Sequence, residues 1–330
     1  MASTLAEIRA KLQAQENKTS NSNPLDNSVY PHWNIPEGSS AKVRFLPDAN
    51  SKNDFFWVER LMIKLPFAGI KGQPDSKPVI VQVPCIEMYG QQCPILAEVR
   101  TWFKDPGMEE MGRKYWKKKS YLFQGFVKEN PLADDKAPEN LIRRFVIGPQ
   151  IFNLIKAALM DPELDSMPTD YNSGLDFTIT KTSKGGYADY STSKWARKET
   201  SLSAIELAAL EQYGLFNLSD YIPKQPGDDE IRVIKEMFEA SVDGQAYDQE
   251  RWGQYYKPSG MGGADSKSGE SSDSVVITKA SPSLTVVSSS SHEDEDDAPV
   301  ASTPVVTPIA KPSSQKAEDI LAMIRNRSKQ

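Results

Sequence analysis

Hydrophobic and polar positions alternate along Ala41-Lys42-Val43-Arg44-Phe45-Leu46, and the pattern stops at Pro47. A period of two marks a strand with one buried face. Stretches rich in β-branched and aromatic residues at 55–63, 79–83, 121–127, 143–147 and 175–182 predict further strands. In the last of these, Leu175, Phe177 and Ile179 face one side, and Asp176, Thr178 and Thr180 the other. Helical spacing is rarer. Ile151, Leu154, Ile155 and Leu159 form one stripe. Ser203-x-x-Glu206 opens a second helix that ends at Gly214, and Ile231, Ile234 and Phe238 mark a third. Strands joined by irregular loops, with helices late, predict an α+β fold on an antiparallel sheet or small barrel.

The two ends break this pattern. Residues 2–15 predict a short helix, with Thr4-x-x-Glu7 as a capping box and Leu5, Ile8 and Leu12 at helical spacing. A helix this short needs a surface to pack on. Residues 17–27 form a polar linker rich in Asn and Ser. At the other end, none of the 30 aromatic residues lies beyond Tyr256. Residues 261–315 hold 14 Ser and eight acids against three bases, including the run Glu293-Asp294-Glu295-Asp296-Asp297. Such a composition buries too little apolar area to offset chain entropy, so disorder is expected there. The chain therefore divides into an N-terminal segment 1–22, a folding core 23–256 and an acidic Ser-rich tail 257–330. The tail ends in a second short amphipathic stretch. There Leu321-Ala-Met-Ile324-Arg325 echoes Leu5-Ala-Glu-Ile8-Arg9.

Composition excludes several functions. Two Cys do not make a disulfide-rich secreted scaffold. No apolar run is long enough for a membrane span or a secretory signal. Two His, His32 and His292, leave no material for a His-rich metal site, and no G-x-x-x-x-G-K-[ST] phosphate loop is present. Binding is expected rather than catalysis.

Two patches carry chemistry. Residues 113–128 hold six bases, no acid and five aromatics, including Lys114, Tyr115, Trp116, Lys117, Lys118, Lys119, Ser120 and Tyr121. Cations at backbone spacing suit a polyanion, and flat rings suit unpaired bases. The same residues also read as a solvated basic loop followed by a buried aromatic strand. Residues 181–198 hold five bases, one acid and three aromatics, including Lys184, Tyr187, Tyr190, Lys194 and Trp195. Gly185-Gly186 predicts a hairpin tip that carries Tyr187; the alternative is a hairpin whose aromatics cover the core. Arg143 and Arg144 extend the basic surface, although adjacent strand residues point to opposite faces, so one of the two is the better phosphate contact.

With these segments in view, the chain resembles the single-stranded-DNA-binding, helix-destabilising proteins of T-even-type bacteriophages. The resemblance rests on Ala41-Lys-Val-Arg-Phe-Leu-Pro47, Val83-Pro-Cys85 with Cys93-Pro-Ile95, and Lys117-Lys-Lys-Ser-Tyr121. It extends to Val127-Lys-Glu-Asn-Pro131 with Ala137-Pro-Glu-Asn140, and to Asp189-Tyr-Ser-Thr-Ser-Lys-Trp195. It implies an OB-fold-type core with a small subdomain, an N-terminal cooperativity segment and an acidic C-terminal tail. It further implies cooperative coating of single strands during viral replication, recombination and repair, in the cytoplasm of an infected host cell. The tail would contact polymerase, recombinase and helicase-loading proteins. Carried over residue by residue, Lys117, Lys118, Lys119 and Ser120 match a basic-then-hydroxyl motif. Tyr121, Tyr187 and Tyr190 match aromatics near the strand, and Tyr115 or Trp116 fills a further such place. Arg143 and Arg144 match cleft residues, and the cooperativity role falls on Ser3, Thr4, Leu5, Ile8, Arg9 and Lys11.

The chain departs from this family at three points. The family holds zinc with one His and three Cys. Here Cys85 and Cys93 remain, Leu96 stands in the last Cys position, and no His lies between His32 and His292. Two thiolates do not close a tetrahedral site, so no metal is expected and the thiols should be reduced and half-buried. The N-terminus lacks the family's basic triplet, and residues 316–330 end basic rather than acidic. The resulting reading is a single-stranded-DNA-binding protein. The alternatives are a single-stranded RNA binder of similar build and a scaffold that recruits partners through its tail.

Overall fold

The alternating stretch at 41–46 becomes strand β1 (Ser40–Phe45) in a computed structural model of the chain, which describes residues 28–132 and 138–258. The N-terminal helix expected at 2–15, with Ser3, Thr4, Leu5, Ile8, Arg9 and Lys11, lies outside the described residues, as does the tail from residue 259. The described chain is mixed α+β, with a core of antiparallel pairs and six helices among the described residues.

It separates into two compact units. The first comprises residues 28–62, 117–132 and 138–225, and the second 63–116 and 226–258. Strand β2 (Trp57–Phe67) starts in the first unit and continues in sequence into the second. It begins two residues after the expected strand and runs four residues past it.

The first unit is built on β4 (Lys118–Glu129), which pairs antiparallel with β1, with the first half of β2 and with β5 (Ile142–Ile147). Strand β6 (Phe177–Thr180) pairs with β1, and β9 (Lys194–Trp195) with β6. A register shift falls between Lys42 and Val43 in the pairing of β1 with β4. Gly125 pairs with Phe45 further along the same ladder. A Cβ on it would sit 2.1 Å from the Arg44 carbonyl oxygen, so any side chain would part the two strands.

The period of two sorts residues between the faces as expected. On one face Val43, Phe45, Tyr121, Phe123, Phe145 and Phe177 form the main core, which Ile151, Phe152 and Ile155 of α3 (Pro149–Leu159) cover. Two helices precede α3 in sequence, α1 (Pro94–Trp102) and α2 (Glu109–Tyr115), both in the second unit. On the opposite face a smaller core gathers Leu46, Phe126, Ile142 and Leu202 under Ala209 of α4 (Ala204–Tyr213). The capping box forms as read: the Glu206 N–H donates to Ser203 Oγ, and the Ser203 N–H donates to Glu206 Oε2. Arg44 is wholly buried on this face and pairs with Asp176, its Nε lying 2.8 Å from Oδ1. Removing one partner of such a pair costs about 3–5 kcal/mol, because a charge is left buried alone.

The second unit holds β3 (Val79–Pro84), which neighbours β2, with α1, α2, α5 (Asp228–Val242) and the short α6 (Gln249–Trp252). Aromatic packing joins α1, α2 and α5: Trp102 stacks on Phe238, and Tyr115 meets both rings edge to face. Among the described residues no helix is long and apolar enough to cross a membrane.

Candidate nucleic-acid interface

The run at 113–128 divides between the two units. Lys114, Tyr115 and Trp116 belong to the second. Tyr115 is only 1% exposed, its ring contacts Trp102 and Phe238, and its hydroxyl lies 3.1 Å from Ser241 Oγ. Burial pushes its phenol pKa up. Trp116 is buried beside Phe103 and under the Arg100 guanidinium. Neither ring offers an open face, which corrects the expectation that one of them stacks on a base. Lys114 is exposed, with its ammonium over the Tyr115 ring.

Lys117, Lys118, Lys119 and Ser120 fall in the first unit and are half-buried. Lys118 onward is strand rather than the loop of the alternative reading. Ser120 pairs with Arg60 across β4 and β2, and the Arg60 Nε donates to Ser120 Oγ at 3.1 Å. Lys119 lies on the other face, 4.0 Å from Glu59. Tyr121 turns into the main core, where Phe152 stacks on it at 3.4 Å. Lys128, the last base of the run, donates to Glu206 at 2.6 Å and ties β4 to α4.

Arg143 and Arg144 take opposite faces of β5, as adjacent strand residues must. Arg143 lies over Tyr30 on the main-core side and donates to the Val29 carbonyl. Arg144 lies on the Ser120 face, paired with Gln124 across the strands. Its guanidinium carbon sits 3.6 Å from the centroid of Tyr221, and its Nη2 donates to Ser28 Oγ at 2.7 Å. Gln124 sets this arrangement. It is fully buried, and its amide closes three hydrogen bonds: Nε2 to the carbonyls of Pro47 and Phe216, and Oε1 from the Phe216 N–H. The segment that carries Tyr221 is thereby pinned beside Arg144.

One face of the β2–β4–β5 sheet thus aligns Arg60, Ser120, the Val58–Leu122–Val146 row and Arg144 on Tyr221. Arg60, Arg143 and Arg144 are themselves buried, which corrects the expectation that the arginine pair extends the basic surface. This face offers solvent the half-buried Lys118, Ser120 and Tyr221, and a cation, a hydroxyl and a flat ring suit a phosphodiester chain with unpaired bases. Sequence reasoning missed Arg60 and Tyr221. The signal for Arg60 was present, a cation that the period of two places on one face with Val58 and Met62. For Tyr221 there was none.

The second patch folds as a two-residue hairpin. Strands β7 (Thr182–Lys184) and β8 (Tyr187–Asp189) pair across Gly185 and Gly186, whose φ values of 63° and 85° are those a tight turn demands and glycine tolerates. Lys184 and Tyr187 face each other at the tip, and Tyr187 is 38% exposed. Tyr190 differs. It is buried, its N–H donates to Gln150, and its ring meets His32 edge to face. Its ring therefore does core packing and is not available to stack on a base, against the sequence expectation. Lys194 is exposed on β9, opposite Thr178.

Cys85 and Cys93 are free thiols, fully buried rather than half-buried as expected, and Cys93 stands at the N-cap position of α1. Hydrogen bonding from Cys85, with the N–H groups of Leu96, Ile86 and Ile95, pulls Cys93 down to about 6; Cys85, whose proton that bond holds, is pushed up. Among the described residues no group of three or more His, Cys, Asp or Glu side chains is arranged to hold a metal ion. No family model and no curated protein sequence matches the chain.

Proposed function

We propose that the chain is a single-stranded-DNA-binding protein with an OB-type core, and that it acts by coating strands rather than by catalysis. The observation that carries this reading is one sheet face on which the half-buried Lys118, Ser120 and Tyr221 lie together, braced by the buried Arg60 and Arg144, with Lys117 leading into it and Lys119 on the opposite face of the same strand. Phosphate contacts supply most of the affinity in such a surface, and stacking adds sequence-tolerant energy. The exposed hairpin tip with Lys184 and Tyr187 supplies a further cation and ring. Cooperativity through residues 1–22 and recruitment of replication and recombination proteins through the tail belong to the same proposal. They rest on the family resemblance.

The test is titration of the full chain with fluorescent oligo-dT at several salt concentrations, with oligo-dA and oligo-rU as competitors. Affinity that falls linearly in log–log salt plots, with little change between dT and dA, supports the reading. Preference for the ribose strand replaces it with RNA binding. No binding at low salt overturns it.

A further inference from the structure

A large apolar side chain left in water needs a reason. Phe55 is 58% exposed, at the end of the loop that leads into β2. It does not stand alone: its ring stacks on Trp57 at 4.7 Å and 30°, and Trp57 rests on Phe152 at 5.3 Å and Phe123 at 5.7 Å. The inner rings are anchored in the main core, and the outer face of Phe55 is open.

The loop beneath it is built rather than slack. Asp48 Oδ1 accepts from the Asn50 N–H, Asn50 Oδ1 from the Lys52 N–H and Asn53 Oδ1 from the Phe55 N–H. The Asn53 amide donates to Asp48 Oδ2 and to the Trp57 carbonyl, which closes the loop on itself. Three successive Asx turns hold the backbone in one shape, so Phe55 is presented at low entropic cost. Lys52 is exposed on the same loop.

The loop also joins the sheet face already described. Asp48 Oδ1 accepts from the Leu218 N–H at 3.0 Å, and the Ala49 N–H donates to the Phe216 carbonyl at 3.1 Å. Phe216 is the residue that Gln124 holds next to Arg144. One hydrogen-bonded chain therefore runs from the Arg144–Tyr221 stack through residues 216–218 to the Phe55 loop.

We propose that Phe55, backed by Trp57, is a stacking platform for an unpaired nucleobase. It extends the candidate interface beyond the sheet face, with the exposed Lys52, three residues earlier on the same loop, as the cation for a phosphate. This rests on the nucleic-acid reading above. A pre-shaped loop, an open ring face and a neighbouring cation match a base and its phosphate.

The experiment compares the full chain with Phe55→Ala, Phe55→Leu and Phe55→Trp, using oligo-dT just long enough for one protomer and a long dT strand. Because Phe55 is mostly exposed, melting temperatures should stay together. Stacking of one base is worth about 1–3 kcal/mol, so Phe55→Ala should weaken binding to the short strand by roughly 5- to 150-fold. Phe55→Leu should lose nearly as much, since it keeps apolar bulk without a π face, and Phe55→Trp should match the parent. Parent-like binding by Phe55→Leu overturns the platform, and so does a loss seen only on the long strand, which assigns Phe55 to a contact between protomers. If the parent binds oligo-dT and Phe55→Ala binds equally, only this inference falls. If the parent does not bind, the functional reading falls with it.

Discussion

The guanidinium of Arg144 lies over the ring of Tyr221, with its central carbon 3.6 Å from the ring centroid. A cation placed so closely on a π face is held in one orientation while its edge still donates, here to Ser28. Ser28 is the first described residue, and the Tyr30 N–H donates to the Arg144 carbonyl at 2.8 Å. Arg144 thus fastens the start of the described chain to β5 from a buried position behind Tyr221. Tyr221→Leu keeps apolar volume and removes the π face. It should cost about 0.5–2 kcal/mol of stability and weaken oligo-dT binding, while Tyr221→Phe should keep both. Chemical unfolding and titration of the two variants check this; equal behaviour of Leu and Phe would show that only bulk matters.

Charge reversal of Lys117, Lys118 and Lys119 should weaken binding of every single-stranded sequence alike. The slope of log affinity against log salt should fall by about 0.7 for each phosphate that these lysines neutralise in the parent. Parallel salt titrations of dT and dA strands measure it, and an unchanged slope would move the cationic track elsewhere.

The two hairpin tyrosines should separate. Tyr187→Ala at the exposed tip should leave the melting temperature alone and cost about 1–3 kcal/mol in binding if the ring stacks. Tyr190→Ala opens a hole in the main core beside His32 and Gln150. It should cost about 3 kcal/mol or more of stability, as large-to-small aromatic changes do. Thermal melts with oligo-dT titration of both variants decide it. The assignment is reversed if Tyr187→Ala melts early and Tyr190→Ala does not.

His32 makes stability depend on pH. Burial, with the Lys181 charge second, lowers its pKa from 6.5 to about 4, and among the described residues its Nδ1 has no hydrogen-bond partner. The unfolded chain takes up a proton as pH falls through 6.5, and the native state does not until about 4. The contribution is therefore complete above pH 6.5 and is lost between 6.5 and 4, reaching about 3 kcal/mol. Urea unfolding of the parent and His32→Phe at pH 7.5 and 4.5 isolates it, because the carboxylates titrate in both. Identical pH dependence of the two proteins would rule it out.

Features that depend on neighbours along the chain were legible before any fold was known. Alternation placed β1, strand-favouring composition placed β5, and the period of two assigned Arg143 and Arg144 to opposite faces, because successive strand residues must alternate. The capping box of Ser203 and Glu206 and the Gly185-Gly186 turn were legible for the same reason, since their partners lie within a few residues. Other features depended on residues far apart. Interleaved Lys and aromatic residues look alike whether a ring faces solvent or core. Only packing against Phe238, Phe152 and His32 turned Tyr115, Tyr121 and Tyr190 inward and left Tyr187 out. Tyr221 reaches Arg144 through the Gln124 hydrogen bonds to Phe216, a juxtaposition that no local pattern encodes. Local periodicity sets which face a side chain takes. What covers that face follows from the assembled chain alone, because burial is a property of the whole fold.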